Sequence, residues 1–278
     1  MDADTGLSPE DALAVDALLH TVHELTGMDF RDYARSALCR RVQRALLENA
    51  VGSVAALNAL VREDAAALVR VSKMLTLSVT SMFRDPGFFL QFREQVVPLL
   101  RTHPFLRLWV AGCASGQEVY SLAILLHEAG LYERARIYAT ELQSGILEQA
   151  CTGIYPLAVM QEYTRNYQAA GGLGSFSDYY TADSSAAIMR PFLRTNVVFA
   201  AHNLVSDGSF NEFQVIFCRN VMIYFNRTLQ ERVHALLHDS LVVWGYLGLG
   251  RSETLRFSTR ESHYEALPGR ERIYRKVR

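Results

Sequence analysis

The segment from Leu108 to Leu126 constrains the fold most. It runs from an apolar strand (Leu108-Trp-Val-Ala) through a small-residue turn (Gly112-Cys-Ala-Ser-Gly116) into an apolar helix that continues to Leu126. Ile137 to Glu141 then reads as a second strand ending in an acid. Doubly wound α/β sheets hold adenosine-containing ligands in this order, in the crevice at the carboxyl ends of their strands. Gly112 and Gly116 let the backbone approach a ligand, and Glu141 stands where a carboxylate can accept hydrogen bonds from a ribose diol. The spacing Gly112-x-x-x-Gly116 is looser than the Gly-x-Gly-x-x-Gly of nicotinamide-dinucleotide folds, so the glycines alone do not name the ligand.

The chain of 278 residues can hold one large domain or one large and one small. Half of its residues are apolar, at 50%, yet no run reaches the roughly 20 needed to span a bilayer. The acidic start Met1-Asp-Ala-Asp4 is unlike a signal peptide, and a cytoplasmic protein without direct membrane insertion is expected. Cys39, Cys113, Cys151 and Cys218 are scattered, which suits reduced thiols better than a disulfide frame or a zinc site. A formal net charge of −1 argues against a nucleic-acid binder.

Residues 1–77 read as a small helical domain. Ser8-Pro9-Glu10-Asp11 supplies a cap, a first-turn proline and first-turn acids, with a stop at Gly27. Arg31, Arg35, Arg40, Arg41 and Arg44 predict a basic outer stripe on an amphipathic helix that spans residues 31–44, which taken alone reads as a solvated face. Ser53 caps a helix through Val61, and Asp64 to Leu77 continues the pattern. A linker and lead-in helix occupy residues 78–105, and the α/β sheet begins at Leu106 and runs to the end of the chain. Between about 169 and 201 the rhythm breaks into glycine-punctuated segments, read as a small antiparallel β insertion. Phe213 to Cys218 is a strand, Thr228 to Leu241 a helix, and Gly245 to Leu249 opens a closing hairpin-like region. His234 and His238 have the i,i+4 spacing of a metal pair, but no third ligand accompanies them and no metal site is expected.

The flanking words carry a resemblance. Leu77-Ser-Val-Thr-Ser-Met-Phe-Arg-Asp85, Trp109 to Ala123, Ile137 to Glu141, Leu147 to Tyr155, His202-Asn-Leu204, Phe213 to Phe225 and Gly245 to Gly250 follow one another in family order. Within them, Cys218-Arg-Asn-Val-Met-Ile-Tyr-Phe225 is long and chemically unusual. The chain resembles the CheR family of chemotaxis receptor methyltransferases, which transfer a methyl group from S-adenosylmethionine to receptor glutamates and release S-adenosylhomocysteine. The resemblance implies a Rossmann-like methyltransferase domain behind the helical one.

It further assigns cofactor contact to Ser78, Thr80, Arg84, Glu118, Glu141, Asn203, Leu204, Arg219 and Asn220. Arg84 and Tyr224 are carried over to the reacting centre, and Arg40, Arg41 and Arg44 to the acidic receptor segment. The β insertion would bind a tether peptide at the receptor's C-terminus, or its glycines are plain turns. Asn203 reads either as an adenine contact or as a turn cap, Leu204 as an adenine contact or core, and Tyr224 as a neighbour of the methyl group or a half-buried sheet-edge aromatic. The chain departs from the family pattern at Ser78 (asparagine is common), at Ser81-Met82, at Gln117-Glu118-Val119 in place of Glu-Glu-Pro, and at Glu141 in place of aspartate. Two alternatives stand beside glutamate methylation: methyl transfer to another substrate, and a non-catalytic S-adenosylmethionine-binding signalling module.

Overall fold

The computed structural model describes residues 9–31, 33–76 and 80–278. The cap expected at Ser8 and the cofactor residue expected at Ser78 lie outside them. The chain forms two compact units, one of residues 1–78 with 224–230, the other of residues 79–223 with 231–278.

The first unit is helical: α1 (Pro9–Thr26), α2 (Arg35–Glu48), α3 (Val54–Glu63) and α4 (Ala65–Thr76). Local chemistry sets their ends. Gly27 adopts φ +73° after α1 and returns its N–H to His23 O at 2.8 Å. Ser53 Oγ accepts from Ala56 N at 3.1 Å at the start of α3, and Asp64 Oδ1 accepts from Ala66 N at 2.7 Å at the start of α4. Val15, Leu18, Val22, Leu38, Val42, Leu57, Val61 and Val71 recur at helical spacing and meet in one apolar core.

The helix expected from residue 31 begins only at Arg35. Asp29 takes the backbone N–H of Arg31 at 3.0 Å and its guanidinium at 2.6 and 2.9 Å, so the chain turns there instead. Arg41 is not on the outer stripe either. It is 4% exposed, donates to Leu75 O, and lies 4.2 Å over the Tyr224 ring. Arg40 and Arg44 do face solvent, Arg44 paired with Glu48 one turn on.

The second unit opens with α5 (Pro86–Gln95) and α6 (Val97–Leu100), then alternates β1 (Leu106–Ala111), α7 (Gln117–Glu128), β2 (Ala135–Glu141), α8 (Ser144–Thr152), β3 (Ile154–Pro156) and α9 (Met160–Ala169). It continues with β4 (Tyr180–Ala182), β5 (Ala186–Met189), β6 (Val197–Ala201), β7 (Phe213–Cys218), α10 (Arg227–Ser240, whose first turn belongs to the helical unit), β8 (Leu241–Leu249), β9 (Tyr264–Ala266) and β10 (Ile273–Lys276). Seven strands form one sheet in the order β6-β2-β1-β7-β8-β10-β9. The pairs from β6 to β8 are parallel, and β10 and β9 close the far edge antiparallel. Apolar runs explain the parallel centre: β1 and β7 are almost wholly buried, and Val119 to Leu126 of α7 are buried along their whole length. Chain order reverses at β1, which has β2 on one side and β7 on the other, so the crevice lies beyond the ends of these strands.

The antiparallel insertion is real but differently bounded. Its three strands are ordered β3-β5-β4 and come from residues 154–189. The glycine-rich stretch before β4 is loop, held by the carboxylate of Glu128, which accepts from Leu173 N at 3.1 Å, from Tyr179 OH at 3.0 Å and from Tyr167 OH. Residues 197–201 pair in parallel with β2 and belong to the large sheet.

Candidate active site

The turn between β1 and α7 is left-handed at three positions, and its two glycines are required by the protein's own packing. Gly112, Ala114 and Gly116 adopt φ +70°, +48° and +91°. A Cβ on Gly112 would stand 2.7 Å from Val221 Cγ2, and one on Gly116 2.9 Å from Ala150 Cβ. Neighbouring strands pin the turn. Cys113 N donates to Thr140 O at 2.8 Å, Tyr155 OH donates to Ser115 O at 2.8 Å, and Trp109 Nε1 donates to Thr140 Oγ1 at 2.8 Å.

Glu141, 9% exposed at the carboxyl end of β2, closes this turn from the side. Its Oε2 accepts from Ala114 N at 3.0 Å; its Oε1 accepts from Leu142 N at 2.8 Å and Gln143 N at 3.3 Å. Burial raises the carboxyl pKa above its ordinary range, and the three backbone amides oppose that rise. A carboxylate has about four acceptor directions, and three are used here, leaving one on Oε2 for a ligand hydroxyl.

Arg219, at the end of β7, brackets the opposite side. Its side chain is 1% exposed. Nη1 donates to Glu118 Oε2 at 2.5 Å, and Nη2 to Asp85 Oδ2 at 3.0 Å and Arg84 O at 2.9 Å. The guanidinium also lies 4.1 Å over the Phe88 ring. Its outer nitrogens are thus engaged by protein acceptors; Nε is buried with no acceptor among the described residues. Glu118 sits in the first turn of α7, its pKa raised by burial and drawn back by Arg219. Phe83 and Asp85 both have left-handed backbone, at φ +50° and +56°, and Phe83 N donates to Ser121 Oγ at 2.8 Å. Thr80 and Arg84 are half-buried on the same segment.

Asn203 and Leu204 follow β6. Asn203 caps a turn, its Oδ1 accepting from Val205 N at 2.9 Å, which leaves its amide Nδ2 as the group to reach a ligand. Leu204 is 8% exposed. Asn220, half-buried, has φ +60°. Its turn is organised by Glu253, a residue that no motif in the sequence singles out. Glu253 is 5% exposed, and it accepts from Asn220 N at 2.9 Å, Val221 N at 2.9 Å, Met222 N at 2.8 Å and Gly250 N at 2.6 Å.

The structure therefore gathers Arg84, Glu118, Glu141, Arg219 and Asn220 around the crevice at the strand ends of one unit. Tyr224, Arg40, Arg41 and Arg44 belong to the helical unit, where Tyr224 O accepts from Ala34 N at 2.7 Å. His234 and His238 are both buried, and burial holds the His238 pKa down at about 4. Among the described residues, no group of three or more His, Cys, Asp or Glu is arranged to hold a metal ion.

Comparison with known proteins accounts for both units. Residues 78–272 match the S-adenosylmethionine-binding domain of CheR methyltransferases, and residues 14–76 match the all-alpha domain of the same enzymes. The chain belongs to the CheR methyltransferase family. It is 45% identical over 259 residues to the Pseudomonas putida protein called Cher3, a methyltransferase by name, covering 93% of this chain and 95% of that one. It is 33% identical over 204 residues to chemotaxis protein methyltransferase Cher2 of Pseudomonas putida, covering 67% and 69%. A chemotaxis protein methyltransferase of Listeria innocua is 28% identical over 231 residues, covering 82% and 85%. S-adenosylmethionine is the cofactor of this CheR domain, and the glycine turn with the carboxylate beside it is chemically suited to an adenosyl group. No helix among the described residues is long and apolar enough to cross a membrane.

Proposed function

We propose that this CheR-family protein acts in the cytoplasm, where it methylates glutamate side chains in the cytoplasmic methylation region of chemoreceptors. The observation that carries the reading is the match to both family domains over nearly the whole chain, together with relatives named chemotaxis protein methyltransferases. When bound, S-adenosylmethionine supplies a methyl carbon made electrophilic by its sulfonium, which a glutamate with a reference pKa of about 4.3 attacks without first losing a proton. The protein's work is then alignment and exclusion of water, and alignment alone is worth up to roughly 7–11 kcal/mol in ideal cases.

In this reading Glu141 receives a ribose hydroxyl on its open Oε2 direction. Glu118 lends negative charge toward the cationic methionine part, and Arg84 offers its planar fork to a carboxylate. Asn203 and Leu204 meet the adenine, and Thr80 and Asn220 line the crevice. Ser78 and Tyr224 are carried as site residues on the resemblance. A receptor tail peptide would add to the three-stranded sheet, whose Ile154 and Ile188 are 45% and 39% exposed.

The test is incubation with methyl-labelled S-adenosylmethionine and purified receptor cytoplasmic fragments. Label in the fragment is expected, and none in any fragment tried would refute the reading. Arg84→Ala should depress transfer with the melting temperature little changed, and Arg84→Lys should rescue only partly because the fork is lost. Full activity in Arg84→Ala would remove Arg84 from the site.

Arg40 and Arg44, the exposed remainder of the basic stripe, are assigned to the acidic receptor helix. Exposed pairs are worth only about 0.2–1 kcal/mol each and act mainly by steering. Arg40→Glu with Arg44→Glu should raise the KM for receptor and flatten its dependence on salt, while S-adenosylmethionine binding is unchanged. Identical KM and salt response in both proteins would return the stripe to a solvated face.

A further inference from the structure

The buried Glu253 is not among the residues the resemblance assigns, although its carboxylate bonds the backbone of one of them, Asn220. It fills a nest of four backbone donors, three of them successive N–H groups of the turn after β7. Asn220 within the turn has φ +60°, a left-handed conformation that asparagine tolerates better than most side chains but that a free chain populates only as a minority. Each of these donors is close to a buried site and would cost free energy if left without an acceptor. Gly250 completes the fit. A Cβ there would lie 2.7 Å from Glu253 Oε2 and 2.8 Å from Asn220 N, so only glycine allows the β8 end, the carboxylate and the turn to close together. The same turn sets Val221, whose Cγ2 limits Gly112 on the cofactor side of β1.

We infer that Glu253 is a positioning residue of the cofactor site: its carboxylate presets the 219–222 turn, so that Asn220 and the Val221 wall of the glycine turn are in place before S-adenosylmethionine arrives. The inference rests on the assignment of Asn220 to the cofactor. It differs from a general packing role because its consequence is borne by cofactor affinity through one turn. Glu253→Gln keeps the shape but turns an NH2 group toward two N–H donors. Gly250→Ala disturbs the same nest sterically, by crowding Glu253 Oε2 and Asn220 N while leaving the charge of the carboxylate in place.

Three measurements on the full chain decide it. In the ligand-free wild type, the amides of Asn220, Val221 and Met222 should exchange about a hundredfold or more slowly than in an unstructured peptide, since the nest is filled before ligand binds. Rapid exchange that slows only when S-adenosylhomocysteine is added would overturn the presetting. Glu253→Gln and Gly250→Ala should each weaken S-adenosylhomocysteine binding by about tenfold and raise the KM for S-adenosylmethionine, with kcat at saturating donor nearly unchanged. Asn220→Ala combined with Glu253→Gln should bind no more weakly than the weaker single variant, because both act through one turn.

If Glu253→Gln does not fold, Gly250→Ala and the exchange rates still carry the test. Wild-type affinity in the folded variants, or full additivity with Asn220→Ala, would reduce Glu253 to packing. A wild type that bound no S-adenosylhomocysteine would instead defeat the cofactor assignment, leaving the protected amides unexplained but intact.

Discussion

Glu141→Ala is expected to weaken binding of S-adenosylhomocysteine by tenfold or more, read by titration calorimetry. The carboxylate is nearly buried and already holds Ala114 N, Leu142 N and Gln143 N, so the substitution removes a ribose acceptor and also frees the left-handed Ala114 from its anchor. A charge-assisted hydrogen bond contributes about 1.5–3 kcal/mol, and one such loss already accounts for tenfold. Glu141→Asp, the residue of the family pattern, should retain most affinity. The raised pKa of Glu141 adds a pH signature. As pH falls, the carboxyl protonates earlier than an ordinary glutamate, so affinity should begin to drop at higher pH in the wild type, and this component should vanish in Glu141→Ala. Unchanged affinity in a folded Glu141→Ala would take Glu141 out of the site.

Arg219→Ala is expected to destabilise the α/β unit by about 3–5 kcal/mol, the usual cost of breaking a buried ion pair from one side. The guanidinium serves Glu118 and Asp85 together, and its removal strands the Glu118 carboxylate, 13% exposed, in an environment that already raises its pKa. The contact with the Phe88 ring is lost as well. Denaturant unfolding followed by circular dichroism checks this. A loss below about 1 kcal/mol would mean that water reaches the two carboxylates as readily as Arg219 does. Glu118→Gln with Arg219→Met, which removes the buried pair and leaves only the more exposed Asp85 carboxylate of the three charges, should recover part of the stability while leaving cofactor binding impaired.

What the sequence made legible follows from where its information is local. The strands beginning at Leu106 and spanning Phe213–Cys218 are continuous apolar runs, and the parallel centre of the sheet could be read from them. The turn at Gly112 to Gly116 and the acid at Glu141 were legible because one fold class uses that order for one purpose. The boundaries of the small sheet were not. Its glycine-rich approach is ordered by Glu128 of α7, far away in sequence, and residues 197–201 found their partner in β2 instead of a hairpin neighbour.

The arginines of the helical unit show the same limit. Helical spacing tells which side chains share a face, but it does not tell that Arg41 would find Leu75 O and the Tyr224 ring. Arg219 and Glu118 were named from the resemblance as cofactor neighbours, yet their mutual ion pair is a property of the end of β7 meeting the first turn of α7 and has no signature in either segment. Glu253 was invisible for a related reason. Its partners are backbone amides of another strand's turn, so no residue pairing in the sequence announces it.

Peptide mapping of receptor fragments after reaction with methyl-labelled S-adenosylmethionine locates the group that accepts the methyl and so tests glutamate methylation itself. Label is expected on glutamate side chains, released as methanol by mild alkali because the product is an ester. Label that resists alkali, or that maps to lysine, cysteine or the donor alone, would contradict it.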